Sequence, residues 1–224
     1  MKKGRLIVID GSDGSGKATQ TKLLVKKLKQ KNIKVKTMDF PRYEHNFFGE
    51  FIGECLTGEY GDFLTLDPHI TSVLYAADRF ESSEKLNKWL QDGYTVILDR
   101  YVSANQIHQG GKIFDSAKRK SFLQWLDVME YDTFKLPRPD KVIYLDVPIT
   151  ISIKLIKQAQ QKKQYQKNGK KDLVEQSTDY LENARRSALW LARENKNWIR
   201  IQCVKNDKLR SIESIHEEIN SLIK

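Results

Sequence analysis

Cysteine is nearly absent from this chain of 224 residues: Cys55 and Cys203 stand far apart and without metal-ligand spacing. That removes any basis for a disulfide framework or a zinc site and leaves two ordinary reduced thiols. Long apolar runs are missing as well. None approaches the roughly 20 residues of a membrane span, and Met1-Lys2-Lys3-Gly4 leads into a strand instead of a signal-peptide core. A cytoplasmic protein with no membrane partner is expected. The four histidines, His45, His69, His108 and His216, are scattered singly and read as loop or surface residues before ligands. No repeat, linker or low-complexity tail breaks the chain, so one domain spanning residues 1–224 is expected.

Acidic residues are in deficit, leaving a formal charge of +10. Such a surface attracts polyanions, whether nucleic acid, a membrane or highly charged phosphate substrates. The lysines concentrate between Lys22 and Lys36 and between Lys154 and Lys171, with Tyr165 almost the only aromatic among them. Grooves for single-stranded nucleic acid need stacking rings. Solvated lysine faces are the better reading, and no nucleic-acid partner is expected.

What is present is organised around Ile7-Val8-Ile9-Asp10-Gly11-Ser12-Asp13-Gly14-Ser15-Gly16-Lys17-Ala18-Thr19. A short β-branched run without alternation reads as a strand buried on both faces. The glycine-rich turn after it opens an amphipathic helix. Gly11, four residues, Gly16 and Lys17 match the phosphate-loop spacing, in which backbone N–H groups of Gly11 to Thr19 surround phosphate oxygens while the lysine neutralises the terminal ones. Ala18 stands where a hydroxyl would meet Mg²⁺. Thr19, about 100° further round the helix, cannot replace it, so the metal would rest on phosphate oxygens, water and the carboxylates of Asp13 or Asp99.

Beyond the loop, strands are expected over 35–40, 95–98, 142–147 and 198–204, alternating with helices. Five strands in that alternation predict an α/β fold, a parallel sheet with helices on both faces. Asp67-Pro68 predicts a helix start. At the exit of the second strand, Phe40-Pro41-Arg42-Tyr43 can offer ring, cation and hydroxyl to a ligand, or be a hydrophobic turn with a surface arginine. Tyr75 and Arg79, four apart, share a helix face. They can stack on and bond a planar ring, or be a core tyrosine beside an arginine paired with an acid. Asp99-Arg100-Tyr101 ends the third strand, with an acid placed for Mg²⁺ and an arginine able to fork onto phosphate. The stretch Ser103 to Gln109 is rich in groups that read a base edge. The helix around Phe122, Trp125, Leu126 and Met129 reads as core or subunit contact, and the basic segment at about 160–172 as a loop or a lid over a polyphosphate.

These motifs, in this order and almost end to end, resemble the bacterial-type thymidylate kinases among the phosphate-loop nucleoside monophosphate kinases. The supporting residues include Ala76-Ala77-Asp78-Arg79, Tyr144-Leu145-Asp146-Val147-Pro148 and Ser214-Ile215-His216-Glu217-Glu218. The resemblance implies transfer of the γ-phosphate of ATP to dTMP, with Mg²⁺, in a homodimer. It places Asp13 near the sugar 3′-hydroxyl, Tyr43 and Arg100 at the dTMP phosphate with Phe40 beside them, Tyr75 against thymine, and Arg79, Asn105 and Gln106 at the base. It assigns Lys17 and the lid, with Lys170 or Lys171 in place of the usual arginine, to the ATP side. His108 stands where a tyrosine near the sugar 2′ position is common. A related kinase with another acceptor, or a nucleotide-binding protein with impaired catalysis, are the alternatives.

Overall fold

Ile7, Val8 and Ile9 sit at the centre of β1 (Arg5–Gly11), a strand whose residues from Leu6 onward are all buried. In the computed structural model, which describes residues 3–164 and 178–223, β1 is also the centre of the sheet. It pairs in parallel with β3 (Thr95–Asp99) on one side and β4 (Lys141–Asp146) on the other. β2 (Val35–Asp39) and β5 (Trp198–Gln202) complete a parallel sheet of order β2-β3-β1-β4-β5. The chain thus winds to one side of β1 and then to the other. In such sheets ligands gather outside the carboxyl ends of the strands at that reversal.

The period-2 alternation of strands explains how one sheet feeds two cores. Leu6, Val8, Val96, Leu98, Val142 and Tyr144 face one layer with Ala184, Ala188 and Leu191. These come from α8 (Thr178–Glu194), which lies against α5 (Val102–Gly111). Ile7, Ile9, Ile97, Ile143 and Leu145 face the other layer, against Leu24 and Leu28 of α1 (Lys17–Gln30) and Ile215 and Ile219 of α9 (Ile212–Leu222). The α/β fold expected from the alternation is therefore the fold observed.

Several expectations shift in detail. Ser103 to Gln109 is not only a polar stretch but part of a helix, and it buries Ser103, Asn105 and Gln109. The helix expected to run to Met129 is α6 (Ser116–Asp127), capped by Asp115 accepting from the Lys118 N–H at 2.8 Å, and it passes into a π-helical turn over Val128–Thr133. β5 stops at Gln202, and Val204–Lys205 pairs instead with Lys208–Leu209 across left-handed Asn206 and Asp207. The remaining helices are α2 (Phe47–Leu56), α3 (Pro68–Glu81), α4 (Ser83–Gln91) and α7 (Ile149–Gln164). Asp67 caps α3 as expected, accepting from the His69 N–H at 2.8 Å. Most of the expected lid, with Lys170 and Lys171, lies outside the described residues.

Candidate active site

Between β1 and α1 the chain turns through left-handed Gly14 and Gly16, at φ 75° and 88°, values that favour glycine because it lacks Cβ. At Gly14 a Cβ would also lie 2.9 Å from the Ser152 carbonyl oxygen. Ser152, on α7, further anchors the loop: its Oγ donates to the Asp13 carbonyl and lies 3.1 Å from the Ser12 Oγ. Nothing in the sequence around Ser152 signalled that role. Lys17 is 8% exposed, and its Nζ donates to the carbonyls of Gly11 at 2.9 Å and Ser12 at 2.8 Å. Burial lowers its ammonium from the ordinary range, and Arg100 adds to the effect.

Asp13 joins this loop to the next element. Its carboxylate accepts from the Arg100 guanidinium and lies 3.5 Å from Lys17 Nζ. Burial alone would raise its pKa, but the two cations outweigh burial and hold the carboxyl well below the usual range. Arg100 is a non-glycine residue at φ 64°, immediately after β3. Such a conformation costs on the order of 1–3 kcal/mol, here at the point where a strand tip turns towards the phosphate loop. Beneath the pair, the fully buried Asp10 accepts from the Gly11 N–H at 2.8 Å and the Ser103 Oγ at 2.6 Å. Burial raises its carboxyl.

A cavity opens beside Arg100. Phe40, Tyr43, Tyr75, Arg79, Asn105 and His108 line it together with Asp13 and Arg100. Phe40 is buried with its ring 5.9 Å from that of Tyr101. His108 stacks on Tyr180 of α8 at 5.7 Å, with the rings 15° from parallel. Burial, aided by Arg100, drops its imidazole to about 3, so it is neutral at pH 7. Its Nδ1, the Gln109 Oε1 and the Arg100 Nε are buried without a hydrogen-bond partner among the described residues. Buried polar atoms are seldom left so, and their gathering at one cavity is what a polar ligand would resolve.

Two expected residues fall elsewhere. Gln106 does not line the cavity. On the helix α5, Asn105, His108 and Gln109 share one side, whereas Gln106 is about 100° round from Asn105, and Gln109 takes its place. Arg42 lines a separate cleft with Ala18, Asp99, His45, Lys22 and Lys26. The Arg42 N–H donates to the Asp78 carboxylate at 3.2 Å, and its guanidinium lies 3.9 Å from Asp39. Leu56 and Tyr180 line the same cavity as Asn105 and His108 although the sequence did not single them out, and Gln109 joins them from the polar stretch Ser103 to Gln109. Arg79 combines both readings of its helix face. It lines the cavity, is only 2% exposed, and is paired with a distant acid: Nε donates to Glu130 Oε2 at 2.9 Å and Nη2 to Oε1.

For a cation, Asp99 is the better placed of the two expected carboxylates. Asp13 is already held by two cations, whereas no described hydrogen bond or ion pair holds Asp99, which burial raises above the ordinary carboxyl range. Among the described residues no three His, Cys, Asp or Glu groups gather to hold a metal by themselves. Thr19 is exposed on the first turn of α1.

The family model described as thymidylate kinase matches residues 9–219. The relative from Mycobacterium tuberculosis, a thymidylate kinase, is 32% identical over 63% of this chain, and the match spans 65% of that relative's length. The thymidylate kinase of Schizosaccharomyces pombe is 30% identical over 99% of this chain and 92% of its own. A probable thymidylate kinase from Thermococcus gammatolerans is 33% identical over 98% of this chain and 96% of its own. The solved thymidylate kinase of Candida albicans shares the fold, with a TM-score of 0.72 at 22% identity, over 99% of this chain and 91% of that one.

Proposed function

Because the chain belongs to the thymidylate kinase family, we propose that it transfers the γ-phosphoryl group of ATP to dTMP, giving ADP and dTDP. A phosphate oxygen of dTMP attacks the γ-phosphorus while the bond to the β,γ-bridging oxygen breaks, and ADP leaves with that electron pair. The acceptor is already an anion, so no general base is required. Positioning and neutralisation of charge carry the reaction.

The observation that carries this reading is the double grip on Asp13. Lys17 belongs to the donor loop and Arg100 to the wall of the acceptor cavity, and both reach the same carboxylate. The two phosphate sites therefore share one charged seam. Lys17 and the loop N–H groups hold the ATP phosphates. Arg100 and Tyr43 hold the dTMP phosphate, Asp13 accepts from the sugar 3′-hydroxyl, Phe40 and Tyr75 enclose the nucleoside, and Arg79 and Asn105 read the base. His108, neutral at pH 7, faces the sugar without adding charge. Lys170 and Lys171 are assigned the remaining contact with the transferring group, by resemblance alone.

Mg²⁺ fits at Asp99 and would be held there directly or through water, with phosphate oxygens standing in for the hydroxyl that Ala18 lacks. When bound, it neutralises charge on the phosphate oxygens. The family match over most of the sequence supports reading residues 1–224 as one domain. A homodimer is supported by an outward face of α3 on which Ile70, Val73 and Phe80 are 57%, 41% and 52% exposed. No helix among the described residues is long and apolar enough to cross a membrane.

An ADP-release assay tests the assignment with dTMP, dUMP, dCMP, AMP and thymidine as acceptors. ADP formation that depends on dTMP is expected, and turnover with one of the others but not with dTMP would reject it.

A further inference from the structure

The cavity's polar edge is set by a residue that does not line it. Glu130, in the π-helical turn, is fully buried and binds both base-side residues at once. It takes the Nε and Nη2 edge of Arg79, and its Oε1 also accepts from Asn105 Nδ2 at 2.9 Å. The same Nδ2 donates to the Ser72 carbonyl at 3.0 Å. Both partners of that amide nitrogen can only accept, so the chemistry fixes which way the Asn105 amide points. Its two N–H groups are used, and Oδ1, an acceptor, is what remains. For Arg79, the Nη1 corner keeps donor capacity, since its one bond, to the Tyr101 carbonyl, is long at 3.4 Å.

We infer that Glu130 is a positioning residue that sets the hydrogen-bond polarity of the acceptor cavity, a fixed acceptor at Asn105 beside a fixed donor at Arg79, and thereby selects keto pyrimidines over amino pyrimidines. Uracil and thymine offer N3–H and O4, a donor beside an acceptor, which complements that edge. Cytosine offers the reverse, an acceptor at N3 beside a donor at N4. Sites built around a hydrogen bond discriminate strongly because the wrong base leaves buried groups unpaired. An Asn105 amide free to rotate would present either pattern and lose the distinction. This inference rests on the acceptor site proposed above, and it assigns the selectivity to a residue outside the contact shell.

The test compares kcat and KM for dTMP and dCMP in the wild type, Glu130→Gln and Glu130→Asp. Glu130→Gln keeps the volume but replaces one acceptor oxygen with a donor, which frees the Asn105 amide to turn. The ratio of kcat/KM for dTMP over dCMP should fall roughly tenfold or more, through KM for dTMP, with kcat at saturating dTMP within a few-fold of wild type. Glu130→Asp retains the charge but is too short to reach both partners, so it should give a smaller fall and serves if the Gln variant does not fold. In an Asn105→Ala background the Glu130 change should move the ratio less than in the wild type, because only the Arg79 donor is left for it to displace. An unchanged ratio alongside lowered thermal stability would make Glu130 a structural counter-charge only and overturn the inference. A wild type without dTMP turnover would instead reject the acceptor site itself.

Discussion

In the proposed reaction Lys17 is the residue on which donor binding and chemistry converge, and its Nζ is already shared between two loop carbonyls and Asp13. Removing a preorganised charge from a site of transition-state charge typically costs a hundredfold or more. Lys17→Ala should therefore lower kcat by roughly that factor, with a smaller change in KM for dTMP. Steady-state kinetics decide the point, and an undiminished kcat would remove the loop from the mechanism. His108 gives a prediction about stability. Its folded-state pKa, about 3, lies below the ordinary value of 6.5, so between these values the unfolded chain binds more protons than the folded one. Stability is then fully present above pH 6.5 and is lost as pH falls, at up to about 1.4 kcal/mol per pH unit. The raised carboxyls of Asp10 and Asp99 slope the other way, and the lowered Asp13 adds only below the ordinary carboxyl range. The contribution of His108 is read as a difference: melting temperature against pH should fall less steeply below pH 6.5 in His108→Gln. Parallel curves would contradict a neutral His108 imidazole in the folded protein.

At the scale of elements, the cavity depends on how closely α5 approaches α8. Gly111 permits that approach, because a Cβ there would lie 3.0 Å from the Ala184 Cα and N and the Asn183 carbonyl. In isolation an alanine favours a helix by about 1 kcal/mol, but overpacking of about 1–3 kcal/mol exceeds that gain. Gly111→Ala should lower stability by about 1 kcal/mol net and raise KM for dTMP, since α5 carries Asn105 and His108 while α8 carries Tyr180. Thermal melts and kinetics check both, and a stabilised variant with unchanged KM would show that the helices are free to separate. Elements of this kind also mark where sequence reasoning stopped. β1, the phosphate loop, Asp13 and Arg100 were readable because strand, turn and helix signals lie within a few residues of one another. Gln106 came from the family resemblance alone, and the polar run Ser103 to Gln109 did not declare itself a helix whose cavity side carries Gln109 instead. Glu130 was invisible for another reason: its partner Arg79 is 51 positions away, and an acid within Met129-Glu130-Tyr131 resembles any other surface charge until the fold buries it.

At the scale of the molecule, the sheet's carboxyl edge carries the proposed nucleotide sites and the outward side of α3 faces solvent. Ile70, Val73 and Phe80 fall within about 80° of each other round that helix, each at least 41% exposed. A lone exposed apolar side chain is ordinary, but three on one helix face suit an interface. Sedimentation over a dilution series should find a dimer. Val73→Asp should shift it strongly towards monomer by burying an unpaired charge, while altering monomer stability by no more than about 0.5 kcal/mol. A wild type that stays monomeric at every concentration would leave α3 without its proposed partner.

Central to all of this is the meeting of two phosphates across the seam that Lys17, Asp13 and Arg100 form. The most direct measurement follows the γ-phosphate itself, using γ-labelled ATP with dTMP and Mg²⁺ and separating the products. The label should pass into dTDP in step with ADP release, and should do so far more slowly in Arg100→Ala. Label that remains in ATP, or that appears as inorganic phosphate whether or not dTMP is present, would contradict it.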